Sequence, residues 1–413
     1  MDRRRVVVTG IGAVTSLGLD ARSTFAGLLE GRSGAAPITR FDPKDHATRF
    51  AAEVKGFDPG TVLPPHEARK LDPFVLFAMA AAKEALGDSG LDLAKEDLTR
   101  VGAVVGVGIG GLTDIEAQHS VLLERGPRRI NPFFIPKIMM NAAAGQISIL
   151  HGLQGPNYAT ASACASSAHA VGLAMKAIRW DEADVMLAGG SEATITPLGI
   201  GGFNALKALS TRNDDPARAS RPFDRDRDGF VMGEGGGCLL LEEYGRARAR
   251  GARIYAEVKG FGMTADAHHI TAPAPGGSGA LRSMLLALRD GATDPADVQY
   301  VNAHGTSTPI NDPLETAAIR GAFGEHAARL AISSSKSMIG HLLGASGAVE
   351  AVVCALTIAE GAVHPTANLE NPDPECDLDY VPGSARRMEV RNALSNSLGF
   401  GGHNATLLLG RVD

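Results

Sequence analysis

Cys164 opens a run of small residues, TASACASSAHAVGLAMKA, that follows an apparent strand end. A thiol at a helix N-terminus is favoured as the thiolate, because the unpaired N–H groups of the first turn and the helix dipole attract negative charge. The Ala and Ser neighbours leave room for a substrate. A buried structural cysteine is the other reading, and Cys238 and Cys354 have that character; the segment alone leaves both open for Cys164. His304 in NAHGTSTPINDPLE and His341 in SSSKSMIGHLLGASGAVE both follow strands and lie among Gly, Ser and Thr, off any apolar helical stripe. Lys336 precedes His341 by about one helical turn. A nearby cation opposes protonation of an imidazole, which would keep His341 neutral and able to donate a hydrogen bond. The turn GFGGHN, Gly399–Asn404, is dense in glycine. Such a turn can aim backbone N–H groups into one space as an oxyanion hole or form a moving gate, or it can be a plain hairpin.

Other patterns point away from other chemistries. Gly10 and Gly12 follow the first apolar run, and Gly106, Gly108 and Gly111 spell a formal GxGxxG after the second. Neither is followed by an acidic residue at a strand end about 20 residues on, so tight strand-to-helix turns are the better reading than a dinucleotide cradle. The four cysteines are scattered without a CxxC pair, which is neither a disulfide framework nor a zinc site. A reducing cytoplasm is the expected compartment. Forty basic against 46 acidic residues give a net charge of −6, which argues against a general nucleic-acid binder.

The elements that must position these residues come next. RRVVVTG reads as a strand over Arg5–Thr9, Ser23–Glu30 and Asp72–Leu86 as helices, and RVGAVVGVG from Arg100 as a second strand. Cys164–Trp180 reads as a helix, and 183–190 and 237–243 as strands. Continuous apolar strands alternating with Ala-rich helices predict an α/β fold. The pattern then restarts: ARIYAEVKGFG echoes RRVVVTGIG, Leu281–Arg289 echoes the first helix, and DVQYVNAHG echoes the second strand. The Ala-rich segment after His341 echoes the one after Cys164. Two similar halves, residues 1–250 and 251–413, are expected to pack as one unit. The N-terminal apolar run is too short and Gly-broken for a signal peptide. No run of 18 uninterrupted apolar residues occurs, so no membrane span is expected.

Cys164 in ACASSAHAVG, His304 in NAHGTSTP, Lys336 and His341 in SSSKSMIGHLLGASGAVE, and Phe400 in NSLGFGGHN together resemble the β-ketoacyl-acyl-carrier-protein synthases, elongating condensing enzymes of the thiolase superfamily. The likeness runs from VVVTGIGAVTSLG to the last strand and includes the long string LSTRNDDPARASRPFDRDRDGFVMGEG. It implies a thiolase-like fold of two duplicated βαβαβαββ halves in a layered α/β/α/β/α core. The N-terminal half would carry the nucleophile, and the C-terminal half the two histidines and a gating loop. It implies decarboxylative Claisen condensation of malonyl-acyl-carrier protein with an acyl chain held on Cys164, elongating fatty acids by two carbons. A ketosynthase of a type II polyketide or other secondary pathway is the alternative. Thiolases resemble a Cys–His–Cys pattern and initiating synthases Cys–His–Asn, whereas chain-length factors lack the cysteine; this chain has Cys–His–His. Asn311, where many members have Gly, and His403, where Thr is common, are departures.

The resemblance also assigns roles. Cys164, His304, His341, Lys336 and Phe400 would be catalytic, with the backbone N–H groups of Cys164 and Phe400 as the oxyanion hole and the Phe400 ring as a gate. Lys336 would pair with Glu315 or Glu350, and Gly399 and Gly401 would shape the gating turn. Thr306, Thr308 and Thr271 would bind the phosphopantetheine amides; Ile109, Phe134 and Phe203 would line the acyl pocket; Asp266–Pro275 would be a second mobile loop. Arg69, Lys70, Arg128, Arg129 and Lys207 would dock an acidic acyl carrier protein. No metal and no permanently bound cofactor are expected, since phosphopantetheine arrives on the carrier. A homodimer is implied by the family alone.

Overall fold

A computed structural model describes residues 3–412. The chain opens with β1 (Val6–Val14), buried along its whole length, and α1 (Pro73–Ser89), capped by the buried Asp72 side chain accepting from the Phe74 N–H. Strands β2 (Val101–Gly106) and β3 (Asn157–Thr160) lead to α2 (Ser166–Arg179), followed by β4 (Val185–Glu192) and β5 (Gly235–Glu243). The sequence of elements then repeats. It runs β6 (Ala256–Ala265), α3 (Ser278–Asp290), β7 (Tyr300–Asn302), α4 (Asn311–Phe323), β8 (Ala331–Ser333), α5 (Ser346–Glu360), β9 (Asn392–Gly399) and β10 (His403–Gly410).

The strands form a ten-stranded sheet in the order β8-β7-β9-β10-β6-β1-β5-β4-β2-β3. From the centre outward each side reads alike. The first strand pairs antiparallel with the fifth, the fifth antiparallel with the fourth, then the fourth, second and third run parallel. The two sides meet through only two residue pairs, Val7 with Glu257 and Val8 with Ala256. Helix α1 packs on β1, β5 and β4, and α3 on β6 and β10. Helices α2 and α5 touch each other between the two halves of the sheet. This is the α/β/α/β/α layering of a thiolase-like fold. Helix α5 is buried from Ser346 to Ile358, as a middle layer demands. Segment Leu343–Glu360 is apolar and long enough to cross a membrane, yet 89% of it is buried inside the fold.

The early glycines have a packing reason. A Cβ on Gly10 would stand 2.0 Å from the Ala85 carbonyl oxygen, and one on Gly12 2.1 Å from that of Ala81, both on α1. The matching glycines of β6, Gly260 and Gly262, meet the carbonyls of Ala287 and Ser283 on α3 at 2.1 and 1.9 Å. The echo of VVVTGIG in AEVKGFG is therefore a repeated demand for a helix against strand backbone. The parallel strands β2, β3, β7 and β8 deliver their C-terminal ends to one region, where ligands bind in open α/β sheets. Gly108–Gly111, Cys164, His304 and Lys336–His341 all follow those ends.

Candidate active site

Cys164 lies in a turn two residues ahead of α2, so the helix starts later than the predicted Cys164–Trp180 segment. Ala163 before it has φ +49°, a conformation costly for a residue with a side chain. The turn is held by the Ala165 N–H on the Ser162 carbonyl at 3.1 Å and by Ser166 Oγ, which donates to the Ala163 carbonyl at 2.7 Å. The thiol is 8% exposed. The expected lowering of its pKa is not what burial allows. Desolvation pushes the thiol up to about 11, outweighing the downward pull of Lys336 and of the Phe400 N–H on the sulfur.

Phe400 follows Gly399 at the β9–β10 turn. A Cβ on Gly399 would stand 2.7 Å from the Ser162 carbonyl and 3.2 Å from the Cys164 N atom, so only glycine lets this turn lie against the cysteine. Gly401 donates to the Ile270 carbonyl at 2.7 Å, and Asp266 N–H to that of Gly402 at 2.9 Å. The segments named as gate and second mobile loop are thus hydrogen-bonded to each other.

His304 and His341 are both 3% exposed, with ring centroids 5.3 Å apart and planes at 86°. Burial, and then the charge of Lys336, hold both imidazoles well below their usual pKa. Both are therefore neutral at physiological pH. His341 Nδ1 accepts from the Leu343 N–H at 3.2 Å and lies 2.9 Å from Ser346 Oγ. A nitrogen that accepts has no proton, so the hydrogen-bond network puts the His341 proton on Nε2. The backbone at His304 is held by Glu315, whose carboxylate accepts from the His304 and Gly305 N–H groups, each at 2.8 Å, while the ring Nδ1 has no hydrogen-bond partner among the described residues. Of the two partners considered for Lys336, the structure selects Glu350; both side chains are 1% exposed.

Cys164, His304, His341 and Phe400 line one cavity of about 560 Å³, whereas Lys336, Glu315 and Glu350 are buried and do not line it. Ile109, Phe203, Phe230 and Leu343 make its apolar walls; Phe230 stands edge-on to both Phe203 and His341, 5.3 Å from each. Thr306 and Thr308, hydroxyls 3.0 Å apart, also line it, as does Thr271. Asn311 also lines the cavity and donates from Nδ2 to Asp312 at 3.1 Å. Phe134 is not among the residues that line this cavity within the one chain. It sits half-buried in the short helix Phe134–Ile138, between Phe133 and Ile135, which are 44% and 57% exposed. Among the described residues, no cluster of three or more His, Cys, Asp or Glu is arranged for a metal ion.

The basic residues are on the surface. Lys207 is exposed at the cavity rim. Arg69, Arg128 and Arg129 are exposed and form no ion pair among the described residues, whereas Lys70 is paired with Glu67 at 2.8 Å. Sequence reasoning missed Phe230, Leu343, Ser346 and Glu192. The Glu192 carboxylate lies at the end of β4, completely buried, and accepts from backbone N–H groups far away in the chain. No local pattern marks such partners.

Residues 3–247 match the family description "Beta-ketoacyl synthase, N-terminal domain", and residues 255–370 "Beta-ketoacyl synthase, C-terminal domain". The chain is 53% identical to the 3-oxoacyl-[acyl-carrier-protein] synthase 2 of Synechocystis sp., covering 98% of both chains. It is 52% identical to the protein of the same name from Coxiella burnetii, covering 100% of both. Among solved structures, a beta-ketoacyl synthase from Burkholderia phymatum superposes with TM-score 0.92 at 38% identity, over 99% of this chain and 100% of that one. The ishigamide ketosynthase/chain length factor superposes with TM-score 0.93 at 36% identity over 100% of both. A buried cysteine beside two neutral histidines, on a duplicated five-layer fold matched end to end by these relatives, leads to one statement: the chain belongs to the beta-ketoacyl synthase family.

Proposed function

We propose that this chain elongates acyl chains by two carbons through decarboxylative Claisen condensation with malonyl-acyl-carrier protein, as a 3-oxoacyl-[acyl-carrier-protein] synthase of fatty acid synthesis. The observation that carries the reading is Cys164 in a strained turn lining the same largely apolar cavity as two histidines that burial keeps neutral.

Loading is a thioester exchange. Cys164 sulfur attacks the acyl carbonyl, the carrier thiol leaves, and the cysteine proton passes to it, so no free thiolate need persist in the resting site. Charge on the carbonyl oxygen is met by the N–H groups of Cys164 and Phe400; losing one such donor costs on the order of 10²–10³ in rate. The malonyl group then loses CO₂, and its bonding electrons move to an enolate whose oxygen needs donors. His341 Nε2–H serves there, with neutral His304 beside it. The enolate carbon attacks the acyl-Cys164 carbonyl, the C–S bond breaks with its electron pair going to sulfur to release the 3-oxoacyl carrier, and a proton from solvent restores the Cys164 thiol. The walls Ile109, Phe203 and Phe230 exclude water that would hydrolyse the acyl-enzyme. No step calls for a resident metal or cofactor; the pantetheine arm comes with the carrier, toward Thr306, Thr308 and Thr271. Phe400 acts as the gate, with Asp266–Pro275 as its moving neighbour.

The carrier partner is supported by a structural neighbour at 34% identity, a type II polyketide ketosynthase solved with its acyl-carrier protein. A polyketide pathway is the less supported reading, because the relatives named 3-oxoacyl-[acyl-carrier-protein] synthase 2 are 48–53% identical. A homodimer fits the edge strand β3, which carries Tyr158 at 37% exposure, and the preceding helix Ala142–His151, which carries Ile149 at 75%. Residence in the cytoplasm follows from the same reading. The test is substitution of the nucleophile. Cys164→Ala should abolish condensation, while Cys164→Gln should leave malonyl decarboxylation measurable. Unchanged condensation by the alanine variant overturns the assignment.

A further inference from the structure

The formal GxGxxG after β2 has an occupant of its own. The Glu192 carboxylate, fully buried, accepts from the N–H groups of Gly108 at 2.8 Å, Ile109 at 3.2 Å and Gly110 at 3.1 Å. It also accepts from Gly344 at 3.1 Å, a residue of the other half of the chain. The junction is closed to any side chain. A Cβ on Gly344 would stand 2.2 Å from the Gly108 N atom, and one on Gly108 2.6 Å from Glu192 Oε2. Successive backbone N–H groups that converge on an anion make an anion-binding concavity; here the anion is part of the protein.

What the carboxylate holds matters for the reaction. Gly108–Gly110 carry Ile109, a wall of the acyl cavity. Gly344 follows Leu343, which has φ +48°, and the Leu343 N–H is the donor that fixes His341 Nδ1 as an acceptor. The geometry points to Glu192 as a positioning residue that, by clamping Gly344, holds Leu343 in its strained conformation and thereby keeps the His341 proton on Nε2, facing the substrate. The inference rests on the reaction proposed above. Glu192 is not itself in contact with the reacting atoms; it acts through His341 on decarboxylation and through Gly108–Gly110 on the acyl wall, so its removal should slow decarboxylation and spare acylation by an acyl chain too short to need that wall.

The test is Glu192→Gln, nearly the same shape, whose amide N–H groups would face backbone N–H donors instead of accepting from them. Two half-reactions are measured on the purified protein: acylation of Cys164 by acyl-carrier protein bearing such a short chain, and decarboxylation of malonyl-carrier protein. Wild type performing both validates the assay and the proposed reaction; wild type performing neither sinks that reaction, independently of Glu192. In the variant, acylation within about 2-fold of wild type with the decarboxylation kcat lowered at least 10-fold, and KM for malonyl-carrier protein little changed, is the expected result. Equal losses in both half-reactions, or no loss in either, overturn the inference. Should Glu192→Gln fail to fold, Glu192→Asp keeps the charge with a shorter reach. It is expected to give the same split with a smaller decarboxylation loss, and a uniform loss there counts equally against the inference.

Discussion

At the residue scale, burial decides the chemistry. Cys164, His304 and His341 each lose the solvation of their charged form, so the resting site holds a thiol and two neutral rings. The same burial makes stability depend on pH. His304, His341 and His364 all have lowered pKa values, His364 near 4. A group with a depressed folded pKa stabilises the fold above its unfolded value, about 6.5 for histidine, and that stability is lost as pH falls. Glu192 and Glu315, raised to about 7 by burial, act with the opposite sign and cost stability as pH rises toward that value. His341→Asn isolates one histidine. Its unfolding temperature should fall less than that of wild type between pH values of about 6.5 and 5, a difference worth up to about 2 kcal/mol. Parallel curves would contradict the buried neutral ring. The histidines were legible in the sequence, because their neighbours Gly, Ser and Thr are not core residues. The raised thiol pKa was not, because it depends on how completely the cavity is closed.

At the element scale, the duplicated order explains where the chemistry sits. Cys164 lies between β3 and α2; Lys336 and His341 lie between β8 and α5, the corresponding connection of the second half. His304 follows β7 as Gly108 follows β2. The site is therefore built across the pseudo-repeat, and its shape depends on how closely helices approach strands. Gly12→Ala, which sets a methyl 2.1 Å from the Ala81 carbonyl, should cost about 1–3 kcal/mol or more through overpacking. Gly87→Ala, on the exposed face of α1 with nothing within 4 Å of its Cβ, should stabilise by about 0.5–1 kcal/mol. Denaturant unfolding of both variants checks this; equal effects would sink the close-approach account. The alternation of apolar runs and Ala-rich helices revealed these elements and their repetition. The strands Tyr300–Asn302 and Ala331–Ser333 were legible as the counterparts of first-half strands, but not how short they are, since three residues between polar turns leave no pattern to mark their ends. Where Phe134 sits was not legible either, because a likeness in sequence does not say which side chains reach a cavity; in this chain its helix lies beside exposed apolar neighbours.

At the scale of the whole molecule, a net charge of −6 coexists with unpaired surface cations. Arg69, Arg128, Arg129 and Lys207 are the better candidates for receiving an acidic carrier, because Lys70 is already engaged by Glu67. Replacing Arg128 and Lys207 by Glu should raise KM for carrier-bound substrate roughly 10-fold at low salt. It should spare small acyl thioesters, and the difference should shrink as salt screens the surface. Equal effects on carrier-bound and small substrates would remove the docking role. The central claim concerns Cys164, and the most direct measurement is the intact mass of the protein after mixing with acyl-carrier thioesters, then with malonyl-carrier protein. The account predicts a single acyl adduct, absent in Cys164→Ala, that malonyl-carrier protein discharges as a product two carbons longer. No adduct with any donor, or an adduct that survives in Cys164→Ala, would contradict it.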